Sequence, residues 1–99
     1  MMYTIRRTDE FANWLDSLKD HMTRVRLIRR LEKAMKGNLG DVKPVGNGVF
    51  EMREYFGPGW RMYYVTRGEL LIVMLGGGSK ATQSADIGKA IRLADLLED

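Results

Sequence analysis

The chain has 99 residues, of which 44% are hydrophobic, and these numbers predict one small domain over residues 1–99. Its net charge of +3 favours an anionic partner, and the absence of cysteine excludes a disulfide framework. The longest apolar run, Leu70–Leu75, is too short to span a bilayer, and residues 1–7 lack the apolar stretch of a signal peptide, so we expect a cytoplasmic protein without a membrane partner.

The N-terminal half is predicted to form one strand followed by two helices. Tyr3–Arg6 is a short strand, and Thr8 is a suitable N-cap for the helix that follows. Apolar residues of this first helix recur at helical spacing, at Phe11, Trp14, Leu15 and Leu18. The second helix carries an apolar stripe of Val25, Ile28, Leu31 and Met35. Gly37 then ends the second helix, because glycine adopts the left-handed conformation without strain.

Beyond the helices the spacing of apolar residues changes to two. Gly37–Gly48 is rich in glycine and is predicted to be an ordered loop. Val49–Phe56 and Trp60–Arg67 alternate as strands do, and Gly57–Gly59 is predicted to be the turn that joins them.

The last third of the chain predicts one more strand and one more helix. Leu70–Leu75 is apolar at every position, as expected for a strand covered on both faces, and the glycine run Gly76–Gly78 is predicted to end it. Ser84 is a candidate N-cap for the final helix. The order of elements predicts an α+β fold in which helices cover one face of an antiparallel sheet and the other face stays partly open.

The predicted hairpin brings two arginines and two tyrosines together. A three-residue turn sets its register so that Tyr55 lies opposite Arg61. Arg53 then lies opposite Tyr63, and both share a face with Glu51. Arginine binds phosphate through two parallel hydrogen bonds and stacks on bases, and tyrosine offers a stacking ring, so this patch is suited to RNA. The same alternation also occurs on the solvent-exposed side of ordinary hairpins, and both interpretations remain open.

Other polar residues are candidates for RNA contacts. Lys80 would reach the hairpin patch if the last strand lies beside the strand of Arg61. The second helix is basic, which suits an RNA backbone or an acidic partner but is also ordinary for the solvated side of an amphipathic helix. The candidate RNA-binding residues are Lys43, Tyr55, Thr82, Gln83, Arg26 and Arg30.

No metal or nucleotide cofactor is predicted. His21 is the only histidine and cysteine is absent, so the chain cannot form a cluster of nitrogen and sulfur ligands. His21 itself is expected to be solvated at the junction of the two helices. Residues 76–82 superficially match a phosphate-binding loop, but they lack its Gly-Lys-Ser/Thr order.

Four blocks of the sequence, taken together and in this order, carry a family resemblance: residues 11–15 (FANWL), 37–46 (GNLGDVKPVG), 57–64 (GPGWRMYY) and 77–83 (GGSKATQ). They strongly resemble the phage Gp49-like, HigB-type "addiction module killer" branch of the RelE/ParE toxin superfamily. The resemblance implies a RelE-like fold, with two N-terminal helices against an antiparallel sheet. It also implies a toxin of a type II toxin–antitoxin pair, neutralised by a cognate antitoxin protein, that cleaves mRNA in the ribosomal A site. Ser79 stands where relatives usually have aspartate, and the histidines that some members use as acid and base are absent from the sheet.

The hypothesis for the chemistry is a metal-independent endoribonuclease. The ribose 2′-hydroxyl attacks the adjacent phosphate, which yields a 2′,3′-cyclic product and a free 5′-hydroxyl. Arg53 and Arg61 clamp the phosphate, Lys80 adds a third cation, and Tyr63 stacks on a base or touches the leaving oxygen. Glu51 and Lys80 are the two candidate bases, although Glu51 could instead only hold Arg53.

Two other functions remain open. A ParE-like gyrase poison would arrest growth with DNA damage and intact mRNA. A non-catalytic binding module, acting only with its partner in a toxin–antitoxin complex, would not be toxic when expressed alone. The presence of arginine and lysine around the predicted sheet face favours RNA cleavage.

Overall fold

The computed structural model describes residues 2–97 and contains five strands and three α-helices in that part of the chain. The strands are β1 (Thr4–Arg7), β2 (Val42–Gly46), β3 (Val49–Arg53), β4 (Trp60–Arg67) and β5 (Leu71–Ser79). The helices are α1 (Asp9–Ser17), α2 (His21–Met35) and α3 (Gln83–Leu96), the last preceded by a 3-10 turn, Lys80–Thr82. Within residues 2–97, none of these helices has the length and apolar character needed to cross a membrane.

The strands form one sheet in the order β1-β5-β4-β3-β2. Strands β2 to β5 are antiparallel neighbours, whereas β1 pairs with β5 in parallel. The α+β class is therefore confirmed, but the predicted antiparallel sheet carries a parallel edge strand. A parallel pair needs a long crossover, and the two N-terminal helices are part of the chain between β1 and β5.

Helices lie on both faces of the sheet, so the prediction of a partly open face was wrong. One cluster lies between the sheet and the helices α1 and α2, and it consists of Phe11, Leu15, Leu27, Leu31, Ala34, Met52, Met62, Tyr64, Ile72 and Met74. The other lies under α3 and consists of Val49, Tyr63, Val65, Val73, Leu75, Ala90 and Ala94. The alternation in β4 and the double coverage of β5 follow the prediction, because successive side chains point to opposite faces.

Thr8 caps α1 as predicted and also ties the helix to the sheet. Its hydroxyl oxygen accepts a hydrogen bond from the Phe11 N–H at 3.2 Å and donates one to the Met74 carbonyl at 2.8 Å. In α2 the buried face was predicted only in part: Leu31 is buried, but so are Leu27 and Ala34, while Met35 is exposed. The apolar stripe was placed about a quarter turn away from the residues that meet the sheet.

Two strands depart from the predicted boundaries. β2 lies inside Gly37–Gly48, which was predicted to be a loop, and it pairs with β3 from Val42 onward. β5 continues through the glycine run to Ser79, although glycine was expected to end it. Two of these glycines are required by close packing, because a Cβ on Gly77 would lie 2.5 Å from the Trp14 ring and one on Gly78 would lie 1.9 Å from an Asp86 oxygen.

The close approach of Trp14 makes Gly77 sensitive to substitution. Gly77→Ala would force the partly buried Trp14 ring away from β5, and we expect the free energy of unfolding to fall by about 1–3 kcal/mol. Urea denaturation measures this change. Gly76→Ala is the matched control, because a Cβ at Gly76 meets nothing within 4 Å. Equal stabilities of the two variants would contradict the prediction.

Candidate functional site

The predicted hairpin residues meet at one corner of the sheet, where β3 ends, β4 begins and β5 ends. The connection between β3 and β4 runs over residues 54–59 rather than over a three-residue turn, so the predicted register was wrong by two residues. Arg53 pairs with Arg61, and Glu51 pairs with Tyr63. A shift of two residues keeps each side chain on its face, and Glu51, Arg53, Arg61 and Tyr63 therefore share the face that α3 covers.

Arg61 lies beneath the surface of this corner, with 5% of its area exposed. Its Nη1 donates to the carbonyls of Glu54 at 3.3 Å and Trp60 at 3.2 Å. Its Nε lies 3.9 Å from a carboxylate oxygen of Glu51 and has no hydrogen-bond partner among the described residues. Arg61 is thus held by backbone carbonyls and faces a buried carboxylate.

Glu51 connects the sheet to the start of α3. Its carboxylate is buried and accepts two hydrogen bonds from the Gln83 amide, at 2.9 and 3.2 Å. The prediction that Glu51 holds Arg53 was wrong, since its partners are Gln83 and Arg61. Gln83, predicted to contact RNA, instead points its amide inward and positions Glu51.

Tyr63 is fully buried, which excludes the predicted stacking of its ring on an exposed base. Within residues 2–97 its hydroxyl finds no hydrogen-bond partner. Burial raises the pKa of Tyr63 far above its usual range, and the negative charges of Glu51 and Asp86 add to that rise. The ring packs in the cluster under α3, and sequence alternation alone could not indicate that a helix covers this face.

Arg53 and Tyr55 form the exposed side of the corner and share one acidic partner. Arg53 Nη2 and Nε lie 3.1 and 3.3 Å from the two carboxylate oxygens of Asp41, and the Tyr55 hydroxyl donates to the same carboxylate. The hydrogen bond from Tyr55 and the ion pair with Arg53 hold the pKa of Asp41 below its usual range. Tyr55 is 69% exposed, and its ring centre is 5.9 Å from the guanidinium carbon of Arg53 and 5.8 Å from that of Arg61.

Lys80 lies next to Arg61, as predicted if β5 lies beside β4. Arg61 pairs with Gly78, and Lys80 follows directly after β5, where its N–H donates to the Pro58 carbonyl at 3.4 Å. A Cβ on Gly59 would lie 3.4 Å from the Lys80 Cβ and 3.6 Å from the Arg61 Nη1. Gly59 thus lies near both Lys80 and Arg61, at a φ of +78° that residues with a Cβ rarely adopt.

The remaining predicted RNA-binding residues are spread over the molecule. Lys43 is exposed on β2 directly opposite Glu51, close to the corner. Thr82 is exposed, and its hydroxyl donates to Asp86 at 2.5 Å. Arg26 is exposed on α2, where its guanidinium carbon lies 3.7 Å from the centre of the Phe56 ring.

Arg30, which was predicted to contact RNA, is instead engaged by partners within the protein. It is 8% exposed and forms an ion pair with Glu54 at 3.0 Å. Its guanidinium also donates to three backbone carbonyls, those of Leu39, Asp41 and Arg53. A Cβ on Gly40 would lie 2.9 Å from Arg30 Nη2, so this glycine leaves room for the buried cation.

Sequence reasoning missed Asp41 and Glu54, the acids that pair with Arg53 and Arg30. Asp41 lies in the glycine-rich segment, and its position in sequence carries no signal that it faces Arg53. The register of β2 against β3 supplies that signal, because Val42 pairs with Met52.

A cavity of about 490 Å³ lies between α1 and α3, away from this corner. Its apolar wall includes Trp14, Leu75, Ala90 and Leu93. Arg53, Arg61 and Lys80 do not line it. The cationic corner, defined as Arg53, Arg61, Lys80 and Tyr55, is therefore separate from this cavity.

Comparisons with known proteins place the chain in a family. The model of the family "Phage derived protein Gp49-like (DUF891)" matches residues 13–96. The chain belongs to this Gp49-like family. A Haemophilus influenzae protein, described only as uncharacterized, is 37% identical to this Gp49-like chain over 97 residues, which are 98% of each chain.

Solved toxin structures share the fold of this Gp49-like protein. The free Escherichia coli toxin RelE, in a double arginine-to-alanine mutant, superposes with a TM-score of 0.74 at 13% identity, covering 94% of this chain and 98% of RelE. The toxin–antitoxin complex RelBE2 of Mycobacterium tuberculosis contains a chain that superposes with a TM-score of 0.66 at 21% identity, covering 81% of this chain and all of the other. The Gp49-like chain thus has a RelE-like fold, in agreement with the RelE/ParE resemblance.

Proposed function

We propose that this Gp49-like protein is the toxin of a type II toxin–antitoxin pair and that it cleaves mRNA on the ribosome, in the cytoplasm, without a metal ion. The observation that carries the proposal is the cationic corner, where Arg53 and Arg61 pair on adjacent strands and Lys80 flanks the same loop. A phosphate with developing negative charge is stabilised by such preorganised cations. The RelE-like fold supports the assignment to toxins.

The residues of the corner divide into an outer and an inner group. RNA would first meet Lys80, Arg53 and the exposed ring of Tyr55, which offers a stacking surface. Arg61 lies directly beneath, beside Gly59 and Tyr55, and its charge would act on the phosphate from below. Bound between these groups, the ribose 2′-hydroxyl would attack the adjacent phosphate, and the 5′-oxygen would leave as a hydroxyl.

Of the two candidate bases, Lys80 is the accessible one. The Glu51 carboxylate is buried and already accepts both hydrogen bonds from Gln83, so we assign it to positioning Arg61. Lys80 is exposed at the start of the 3-10 turn and can contact a substrate. In its neutral form the Lys80 amine would take up the 2′-hydroxyl proton and return it to the departing 5′-oxygen, whereas in its charged form it would stabilise the pentacovalent phosphate.

A protein antitoxin is the expected partner. The M. tuberculosis relative in fold was solved as a toxin–antitoxin complex, and we propose the same kind of partner for this chain. An acidic antitoxin segment that covers the cationic corner would neutralise it by charge complementarity.

The decisive experiment is induction of the chain with and without its antitoxin, followed by mapping of RNA 5′ ends. The proposal predicts growth arrest without the antitoxin and mRNA fragments that carry 5′-hydroxyl ends. Arrest with damaged DNA and intact mRNA would instead identify a gyrase poison. Absence of toxicity would identify a non-catalytic binding module.

Lys80→Ala tests the site within the same experiment. We expect cleavage to fall about 100-fold, because the accessible cation of the corner is lost. Lys89→Ala is the matched control, since it removes the same charge from an exposed position on α3. Equal loss in both variants would mean that overall charge, rather than the corner, drives cleavage.

A further inference from the structure

The carboxylate of Asp41 lies where the proposed function requires a phosphate. Its two oxygens meet the Nη2 and Nε of Arg53 side by side, at 3.1 and 3.3 Å. This paired geometry is the one by which arginine also binds a phosphate group. The Tyr55 hydroxyl donates to the same carboxylate, so Arg53 and Tyr55 are both occupied by one acid, whereas the exposed Lys80 is not.

The contact is open to solvent. The Arg53 and Asp41 side chains are 29% and 39% exposed, so water and salt screen their ion pair. A polyanion that approaches the corner can therefore reach Arg53 and compete with Asp41 for it.

The backbone at Asp41 is held independently of its side chain. The Asp41 carbonyl accepts hydrogen bonds from Arg30 Nη2 at 2.8 Å and from the Arg53 N–H at 3.0 Å. The carboxylate can thus leave Arg53 by rotation of its side chain while the loop stays in place.

We propose that Asp41 is an internal competitor that occupies the subsite of one RNA phosphate, and that RNA binds by displacing it from Arg53 and Tyr55. This inference rests on the proposed function, because it takes the displacing anion to be an RNA phosphate. Arg53 then binds the phosphate, and the ring of Tyr55 is released to stack on the neighbouring base. Asp41 thereby lowers the affinity of the corner for single-stranded RNA that does not offer both a phosphate to Arg53 and a base to Tyr55.

Asp41→Asn removes the competing charge while keeping the size of the side chain. We expect this variant to bind a 2′-O-methyl RNA oligonucleotide, which cannot be cleaved, about threefold to fivefold more tightly than the wild type in fluorescence anisotropy. Asp16→Asn is the matched control, because it makes the same charge change at an exposed position on α1. Its affinity should stay close to that of the wild type.

Arg53→Ala shows whether the effect passes through the assigned subsite. In the Arg53→Ala background, Asp41→Asn should no longer tighten binding, because the group released by the substitution is absent. Tyr55→Phe is a second test of the competition, because it removes one hydrogen bond to Asp41 and keeps the stacking ring. This variant should also bind the oligonucleotide more tightly than the wild type. Circular dichroism establishes that each variant is folded.

The outcomes separate this inference from the proposed function. If Asp41→Asn binds no better than Asp16→Asn, or binds more weakly, Asp41 is not a competitor, even if the protein cleaves mRNA. If Asp41→Asn tightens binding in an Arg53-dependent way but no cleavage is found, the subsite stands and the nuclease proposal fails.

Discussion

Replacing Arg61 by alanine is expected to reduce mRNA cleavage about 100-fold, because a preorganised positive charge beneath the developing oxyanion is lost. Arg61 is the cation most firmly oriented in the corner, because two backbone carbonyls hold its guanidinium and Glu51 faces its Nε. Primer extension on a translated mRNA measures the loss. Arg92→Ala is the matched control, because Arg92 is exposed on α3 and carries the same charge.

A folding defect must be separated from a catalytic one, because Arg61→Ala leaves the buried Glu51 carboxylate without its facing charge. The double variant Arg61→Ala with Glu51→Gln removes that charge too and should restore stability without restoring cleavage. Arg61→Lys keeps the charge but loses the planar fork, and we expect intermediate activity. Cleavage at the wild-type rate by the folded double variant would refute the role of Arg61.

Replacing Arg30 by alanine is expected to lower the free energy of unfolding by about 3–5 kcal/mol, a large part of the stability of a small domain. The substitution leaves the partly buried Glu54 carboxylate without its cationic partner and removes the donor to three backbone carbonyls. These carbonyls belong to the segment before β2 and to the end of β3. The loss should therefore also loosen the backbone that carries Asp41 and Arg53.

Urea denaturation measures this change, and Arg29→Ala is the matched control. Arg29 is the neighbouring arginine of α2 but is exposed, so its removal should change the free energy of unfolding by less than about 0.5 kcal/mol. Similar stabilities of the two variants would show that Arg30 is not a structural cation.

The two arginines illustrate why part of the site could not be predicted from sequence. Arg29 and Arg30 are adjacent and chemically identical, yet the rotation of α2 on the sheet exposes one and buries the other. The predicted apolar stripe did not give that rotation correctly: it included Met35, which the structure shows to be exposed. A buried arginine breaks the simple rule that polar residues mark the solvated face, since its partners are carbonyls elsewhere in the chain.

Local patterns determined most of the elements and the sidedness of β3 and β4, although β2 was missed. The N-cap at Thr8, the bounds of β4 and the shared face of Arg53 and Arg61 were all predicted correctly, because caps and the period of two depend on neighbours in sequence. Only the tertiary structure decided that α3 covers this face and buries Tyr63, and that Asp41 meets Arg53 while Gln83 meets Glu51. These pairings join segments far apart in the chain, and their geometry depends on strand register and helix docking, which the spacing of residues does not encode.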